Sequence, residues 1–577
     1  MSRKFRIALA QINPIVGDID GNTSKILDYL ERAKDVHADL VAFPELSITG
    51  YPPEDLLFKS SFIEANQIAM ECIMEASKGI AVVVGYVERD VDLFNAAALG
   101  YSGNYIDTYR KMFLPNYGVF DEERYFKKGS SCPVYKINGT EVGINICEDI
   151  WYPVGPTSNQ RNSGAELIVN INASPFYAGK REDRELMISE RAVNHQLHVA
   201  YVNTVGGQDE LVFDGATVVF DCNGHIVARG KSFEEDLIVT DLDMEMVPVL
   251  DRTKLFFDEK AVLEIGSPRK VFVSDFNTCM KRGPLKSEDV AENTEIQDIY
   301  GALVLGTRDY VRKSGFSKSV IGLSGGIDSA LTTVIAVDAL GAGNVVGVGM
   351  PSRYSSDGSV TDAKDLSENL GIEFWEIPIE PAHESFTHML EEYFKGTVPN
   401  VAEENVQARI RGNVMMTIAN KFGWIVLTTG NKSEMAMGYA TLYGDMAGGF
   451  AVIKDVPKTL VYELALWRNQ FQSSVPLIPK STLDKPPSAE LRPDQMDQDS
   501  LPPYDELDPI VKAYVEDDRS YQDLIDEGYS PDSVRQVISF VDRNEYKRRQ
   551  SPPGVKITPR AFGKDRRLPI VNKYSQF

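Results

Sequence analysis

The chain has 577 residues, 43% hydrophobic and 25% charged, the balance of an ordinary globular protein and a length that suggests about two to four domains, each able to bury a core. Sixty basic against 84 acidic residues leave a formal charge of −24, which repels phosphate backbones and anionic lipid and excludes nucleic acid or a membrane surface as the main partner. No apolar run approaches the ~18 residues of a membrane helix. The start, MSRKFRIALAQINP, enters a strand-like run without a signal-peptide core. Five scattered cysteines lack a CxxC pair, so the expected setting is a reducing, cytoplasmic one with no structural zinc.

From residue 5 to about 245, short β-branched runs predict strands at Phe5–Ile12, Asp39–Phe43, Ile80–Val87, Val142–Cys147, Leu167–Ile171, His198–Val205 and Ala216–Phe220. Helical stretches at Asn22–Val36 and Asp183–Gln196 fall between them, so this half reads as an α/β layered domain. Breakers at Gly266, Ser267, Pro268, Gly283 and Pro284 predict a connector over 266–285, separating a domain at 1–265 from one at 286–577. Thr294-Glu-Ile-Gln297 fits a capping box that opens the second domain's first helix.

Strand and helix then alternate: Ser319–Leu323, Ser329–Leu340, Val345–Met350, Val360–Leu370, Ile372–Ile377 and Trp424–Thr428. This order predicts a parallel, doubly wound sheet with ligands at the carboxyl ends of its strands. Residues 480–509 are rich in proline and acid and poor in apolar side chains, which predicts either a mobile lid or a disordered loop.

Gly322-Leu323-Ser324-Gly325-Gly326-Ile327-Asp328-Ser329 lies between an apolar strand and an apolar helix. Adjacent glycines let backbone N–H groups turn around phosphate oxygens, and the helix that follows directs its positive dipole end at them. No Lys precedes the final Ser, as a Walker A loop would require, and Asp328 offers a Mg²⁺ ligand. The string SGGIDS resembles the pyrophosphate loop of the ATP pyrophosphatases. Further along, Thr429, Glu434, Asp445 and Lys458 follow strand ends, while Asn405 and Arg409 stand four apart on one helix face as a clamp for a second phosphorylated ligand. Glu434 and Asp445 suit either a metal or an amide partner, and Lys458 suits a phosphate.

In this order these segments, with Glu545-Tyr-Lys-Arg-Arg-Gln550, resemble the NAD synthetase family from about residue 290 onward. The resemblance implies amidation of deamido-NAD⁺ through an adenylylated carboxylate. ATP would be held by residues 322–329, Thr429, Lys458 and Arg353, and Mg²⁺ by Asp328 and Glu434. The deamidated dinucleotide would meet Asn405, Arg409, Glu434, Asp445 and Lys547. The loop Pro486–Glu490 takes the place of the family's lid, and no tightly bound organic cofactor is expected.

A synthetase gains from making ammonia on site, because ammonia in neutral water is protonated. In the first domain Glu45, Lys111 and Cys147 each end a strand-like run. A thiol attacks an amide carbon well when a base takes its proton and a cation steadies the oxyanion, and a carboxylate and a lysine can supply both. Their contexts resemble the nitrilase superfamily, and Leu114–Glu122 is similar to its glutamine-hydrolysing branch fused to NAD synthetase. The resemblance implies an αββα sandwich, glutamine binding by Tyr117, Glu148, Ser174 and Lys180, support of the triad by Glu122, and a homo-oligomer. Six histidines offer no Cys-His-Glu arrangement, and His195 with His198 reads as a structural pair. Another pyrophosphate-loop ligase, a tRNA-thiolating enzyme and a catalytically silent nucleotide-binding scaffold are the competing readings. The charge, the missing CxxC and the intact site positions speak against them.

Overall fold

Side chains alternate strictly along the first strand, Lys4–Gln11. In the computed structural model, Phe5, Ile7 and Leu9 join one buried cluster while Ala8 and Ala10 join another, as a strand buried on both faces requires. The structure describes residues 3–249, 265–275, 282–285, 290–470, 476–493 and 495–577. Two units emerge, residues 1–208 with 212–293 and residues 294–577 with 209–211.

The first unit holds a six-stranded sheet in the order Asp236–Asp243, Lys4–Gln11, Leu40–Ala42, Ala81–Arg89, Leu93–Tyr101 and Asn104–Arg110. A seven-stranded sheet runs Ile226–Arg229, Val218–Phe220, His198–Asn203, Leu167–Asn172, Thr140–Ile146, Ser131–Ile137 and Ser267–Phe272. Leu40, Val83 and Leu99 of one sheet meet Ile144, Val169 and Val202 of the other in a shared core. On the outer face of the six-stranded sheet pack Ile26, Leu30 and Ile73 from the helices Ile19–Asp35 and Ser60–Ala76. Met187, Ile188 and Ala192 of the helix Lys180–His195 cover the seven-stranded one. The layering is αββα, as the resemblance implies.

Some strands went unread in the sequence. Leu93–Tyr101 is rich in alanine, Asn104–Arg110 is half-exposed, and both belong to antiparallel ladders whose partners supply the stability. Ser267–Phe272, placed by its Gly and Pro neighbours in the connector, instead pairs parallel with Ser131–Ile137 as an edge strand of the first unit. There proline at the strand's second position is tolerated. Residues 250–264, 276–281 and 286–289 of the expected domain end, connector and boundary lie outside the described residues.

The second unit carries an all-parallel sheet in the order Glu373–Glu376, Val345–Gly349, Ser319–Gly322, Ile425–Thr428 and Phe450–Ala451. Its chain winds outward in one direction from Ser319–Gly322 and then in the other, which opens a crevice at the carboxyl ends of Ser319–Gly322 and Ile425–Thr428. The preceding helix, Glu295–Lys313, starts at the predicted cap, where Thr294 N donates to Gln297 Oε1 at 2.7 Å. No described helix is long and apolar enough to cross a membrane.

Candidate active sites

Cys147 ends the strand Thr140–Ile146 and begins a single 3₁₀ turn, Cys147–Ile150, with φ of 45°. A non-glycine residue in this left-handed region costs ~1–3 kcal/mol, a strain met mainly where function fixes the backbone. Glu45 follows Leu40–Ala42 on a loop that crosses the neighbouring strand at Gly85, where a Cβ would lie 2.4 Å from Leu46 N and Pro44 O. Only glycine lets the two backbones approach so closely.

Lys111 Nζ donates to Glu45 Oε1 at 2.7 Å and to Glu122 Oε1 at 2.8 Å, with the lysine 1% exposed. Asn95 Nδ2 donates to Glu45 Oε1 at 2.7 Å, Ala173 N donates to Glu45 Oε2 at 3.0 Å, and Tyr51 OH donates to Glu122 Oε1 at 2.9 Å. Burial disfavours the Lys111 charge, but the carboxylates of Glu122 and Glu45 outweigh it and raise its pKa well above the usual lysine value. Burial also pushes Glu122 up to about 7, against the pull of Lys111. For Cys147, burial and then the Glu45 charge raise the thiol pKa well above normal, with Lys111 opposing. The resting group is therefore a thiol, and its attack needs a base at the moment of reaction. Asn95 and Tyr51 were missed in the sequence because neither sits in a motif.

Tyr117 OH donates to Glu148 Oε2 at 3.0 Å, and Lys180 Nζ lies 3.9 Å from the centre of the Trp151 ring. Burial, followed by Arg184, lowers the Lys180 pKa, while Cys147 and Glu148 act to raise it. Ser174 is buried directly after Ala173, whose N–H holds Glu45, and its own N–H donates to Asn203 Oδ1 at 2.9 Å. Glu148 thus lies in the cysteine turn itself, with Tyr117 bonded to it and Lys180 over Trp151 at the turn's end. His195 and His198 are buried, donating to the carbonyls of Arg191 and Asp243 at 3.0 and 3.2 Å.

In the second unit a cavity of about 320 Å³ opens at the predicted strand ends. Gly322–Ser324 and Gly326–Ser329 line it, with Thr429, Glu434, Asp445 and Lys458. Gly325 has φ of +77°, and a Cβ on it would lie 2.3 Å from Ser359 O. The loop closes on itself through Ser329 Oγ, which donates to Gly326 O at 2.9 Å. Asp328 sits in the first turn of the helix Ile327–Leu340, its Oδ1 accepting from Asn431 Nδ2 at 2.9 Å and its Oδ2 paired with Lys458 Nζ. Lys458 Nζ also lies 3.6 Å from Glu434 Oε1. Burial and then Asp328 push Glu434 up to about 8. Burial pushes Asp445 up to about 6, against a hydrogen bond from Thr441 N at 2.8 Å. Burial lowers the Lys458 pKa, but Asp328 and Glu434 outweigh it and leave it above the ordinary lysine value.

Asn405, Arg409 and Lys547 border the cavity without lining it. Asn405 Oδ1 accepts from Thr441 Oγ1 at 2.8 Å, Arg409 Nε donates to Leu442 O at 3.2 Å, and Lys547 Nζ donates to Gly438 O and Ala440 O at 2.7 and 2.9 Å. All three brace the segment 438–442, of which Tyr439 and Ala440 face the cavity. Arg353 stands apart from the lining: its Nε donates to Glu380 Oε1 at 2.8 Å on the helix Glu380–Phe394. The sequence missed Arg411, which with Ala408, Gly412 and Met415 forms the cavity face of Val401–Phe422. Their i, i+3, i+4, i+7 spacing was the available signal.

Residues Lys485–Leu491 line the same cavity. Glu490 accepts from Ser356 Oγ and Ser359 Oγ at 3.0 and 2.7 Å and pairs with Lys485 Nζ at 3.0 Å. Asp497, farther along and also unread, lines the cavity with its carboxyl bonded by Tyr504 OH at 2.8 Å. Residues 485–491 and Asp497 thus form part of the cavity wall.

Comparison with known proteins gives two family matches: carbon-nitrogen hydrolase over residues 6–250 and NAD synthase over residues 299–551. Glutamine-dependent NAD(+) synthetases of Thermotoga maritima and Aquifex aeolicus are each 46% identical, over 100% and 99% of this chain and 100% of their own length. A solved glutamine-dependent NAD⁺ synthetase from Acinetobacter baumannii, in complex with ADP, is 41% identical and superposes with a TM-score of 0.74, covering 100% of both chains.

Proposed function

Because the chain belongs to the glutamine-dependent NAD⁺ synthetases, we propose that the first unit hydrolyses glutamine at Cys147 and the second unit, from residue 294 onward, uses the ammonia to amidate deamido-NAD⁺. Glu45 takes the Cys147 proton as sulfur attacks the carboxamide carbon. Lys111 stabilises the oxyanion, held in place by Glu122. Glu45 then passes the proton to the departing nitrogen, which leaves as neutral ammonia, and the same carboxylate activates the water that frees glutamate from the thioester. Glu148 and Lys180 carry opposite charges to the two charged ends of the free amino acid, with Tyr117 and Ser174 beside them.

In the second unit the 322–329 loop and Thr429 bind ATP. The carboxylate of deamido-NAD⁺ attacks the α-phosphorus, pyrophosphate leaves, and ammonia displaces AMP from the acyl-adenylate. Lys458 neutralises charge that develops on the leaving pyrophosphate. The pair Asp328–Glu434 fits Mg²⁺: Glu434 is buried beside a second carboxylate, an excess of negative charge that a divalent cation relieves. Two carboxylates together with substrate phosphates are the usual ligand set for a nucleotide-bound Mg²⁺. When bound, Mg²⁺ would supply charge neutralisation on the phosphates. Asp445 and the 438–442 segment braced by Asn405, Arg409 and Lys547 flank the dinucleotide, and the 480–509 loop keeps water from the adenylate. Free thiols and a reaction on ATP suit the cytoplasm, and homo-oligomerisation follows from the nitrilase half by family.

The carrying observation is a buried lysine clamped between two carboxylates beside a buried thiol. The test incubates the chain with ATP, Mg²⁺, deamido-NAD⁺ and either glutamine or ammonia, and measures NAD⁺, AMP and pyrophosphate. Cys147→Ala is expected to lower glutamine-driven synthesis by roughly 10³-fold or more and to leave ammonia-driven synthesis intact. Formation of ADP in place of AMP, or loss of both nitrogen sources, would overturn the scheme.

A further inference from the structure

Asp149 takes no part in the chemistry above, yet it is fully buried and its carboxylate accepts from four donors. Oδ2 accepts from Tyr109 OH at 2.7 Å and Ile146 N at 3.1 Å. Oδ1 accepts from Met112 N at 3.1 Å and Phe113 N at 2.9 Å. Three of these donors flank Lys111, and the fourth immediately precedes Cys147. Lys111 follows Asn104–Arg110 of the six-stranded sheet, whereas Cys147 follows Thr140–Ile146 of the seven-stranded sheet. No backbone ladder joins strands of different sheets, and the apolar contact between them is non-directional. Oxyanion stabilisation nevertheless needs the ammonium and the attacked carbon held to a fraction of an ångström.

We propose that Asp149 is the positioning residue that fixes Lys111 against Cys147 across the two sheets. This role rests on the glutaminase reading. Burial pushes the Asp149 acid up to about 6, with Tyr109 and the backbone donors holding it down, so at neutral pH it is ionised and all four bonds stand. An asparagine of the same shape cannot replace it. Whichever way its amide turns, the NH₂ faces one of the two donor pairs, and that pair loses its acceptor.

Asp149→Asn in the full chain is expected to lower kcat for glutamine by about 10²-fold, the usual consequence of a misplacement near 1 Å. The KM for glutamine and the ammonia-driven rate should stay within about twofold. Alkylation of Cys147 by iodoacetamide should change in rate, because the thiol's charged neighbours shift. Tyr109→Phe removes one donor and spares the carboxylate. It should cost kcat roughly threefold to tenfold with KM unchanged, and it decides the matter if Asp149→Asn fails to fold. A wild-type kcat in Tyr109→Phe, or a KM effect alone in either variant, would overturn the proposal. If wild-type protein shows no glutamine turnover and Cys147→Ala changes nothing, the glutaminase reading itself fails. If both of those behave as expected and Asp149→Asn retains wild-type kcat, only the positioning role falls.

Discussion

Both candidate centres place one buried lysine between two carboxylates, Lys111 with Glu45 and Glu122, and Lys458 with Asp328 and Glu434. Removing one member of such a group strands the others as buried, uncompensated charges, so its identity is constrained far more than that of a surface pair. Buried histidine shows the complementary case. His195 is pushed down to about 4 from an ordinary 6.5 by burial, with the Arg191 carbonyl opposing. Its folded value is depressed, so the unfolded chain binds the extra proton between pH 6.5 and 4. Its contribution is complete above the first value and is lost as pH falls through the second, a change of about 3 kcal/mol. Glu122 acts in the opposite sense: with its value raised from 4.5 to about 7, its contribution is present below the lower pH and lost as pH rises through the upper one. Comparing wild type with His195→Gln by thermal unfolding isolates the histidine. The variant should be the less stable at pH 7, and the gap should close toward pH 4. A gap independent of pH would contradict the assignment.

At the scale of elements, the candidate site residues stand where strands stop, which is why so many were legible. A β-branched run that ends in Cys-Glu, Pro-Glu or Ser-Gly-Gly announces both the strand and the group at its end, whereas Lys111 was legible only from its own neighbours because Asn104–Arg110 did not read as a strand; the structure brings Glu45, Lys111 and Cys147 together from three strand ends. Residues brought to these sites by tertiary proximity carried no such sign. Asn95 lies in mid-strand, Asp149 looks like a turn residue, and Asp497 sits in a run whose composition suggested disorder. Ser267–Phe272 escaped for the same reason, since its ladder partner lies more than a hundred residues away. The phosphate loop gives a sharp test of element geometry. Gly325 is left-handed and abuts Ser359 O, whereas Gly326 has φ of −89° and a Cβ there would meet only Ser324 Oγ at 3.3 Å. Gly325→Ala should lower synthesis from either nitrogen source by more than about tenfold, through ~1–3 kcal/mol of backbone strain and displacement of the loop. Glutamine hydrolysis should be unaffected, and Gly326→Ala should be the milder change. Pyrophosphate release under ammonia and glutamate release under glutamine read out the two halves separately, and equal losses in the two variants would remove the conformational argument.

Across the whole molecule, a charge of −24 opposes the approach of two anionic substrates. The cavity answers locally with Arg411, Lys458 and Lys485 in its lining. Ammonia, being neutral, is indifferent to that field, so the two halves exchange the one reactant that the global charge does not affect. This suggests a complementation experiment on the entire chain. Cys147→Ala should keep the amidation centre and Asp328→Ala the cysteine centre, so neither alone should make NAD⁺ from glutamine. In a mixture, ammonia from one protein must cross bulk water to reach the other, where it is diluted and, near neutrality, protonated. Glutamine-driven synthesis should therefore return at roughly 10²-fold below the wild-type rate, the loss expected when a local supply becomes a dissolved one. It should rise with pH as free ammonia increases, and an enzymatic ammonia trap should abolish it. If ammonia accumulates in the mixture at alkaline pH while no NAD⁺ forms, then Cys147 is needed for more than releasing nitrogen, and the separation of the two chemistries fails.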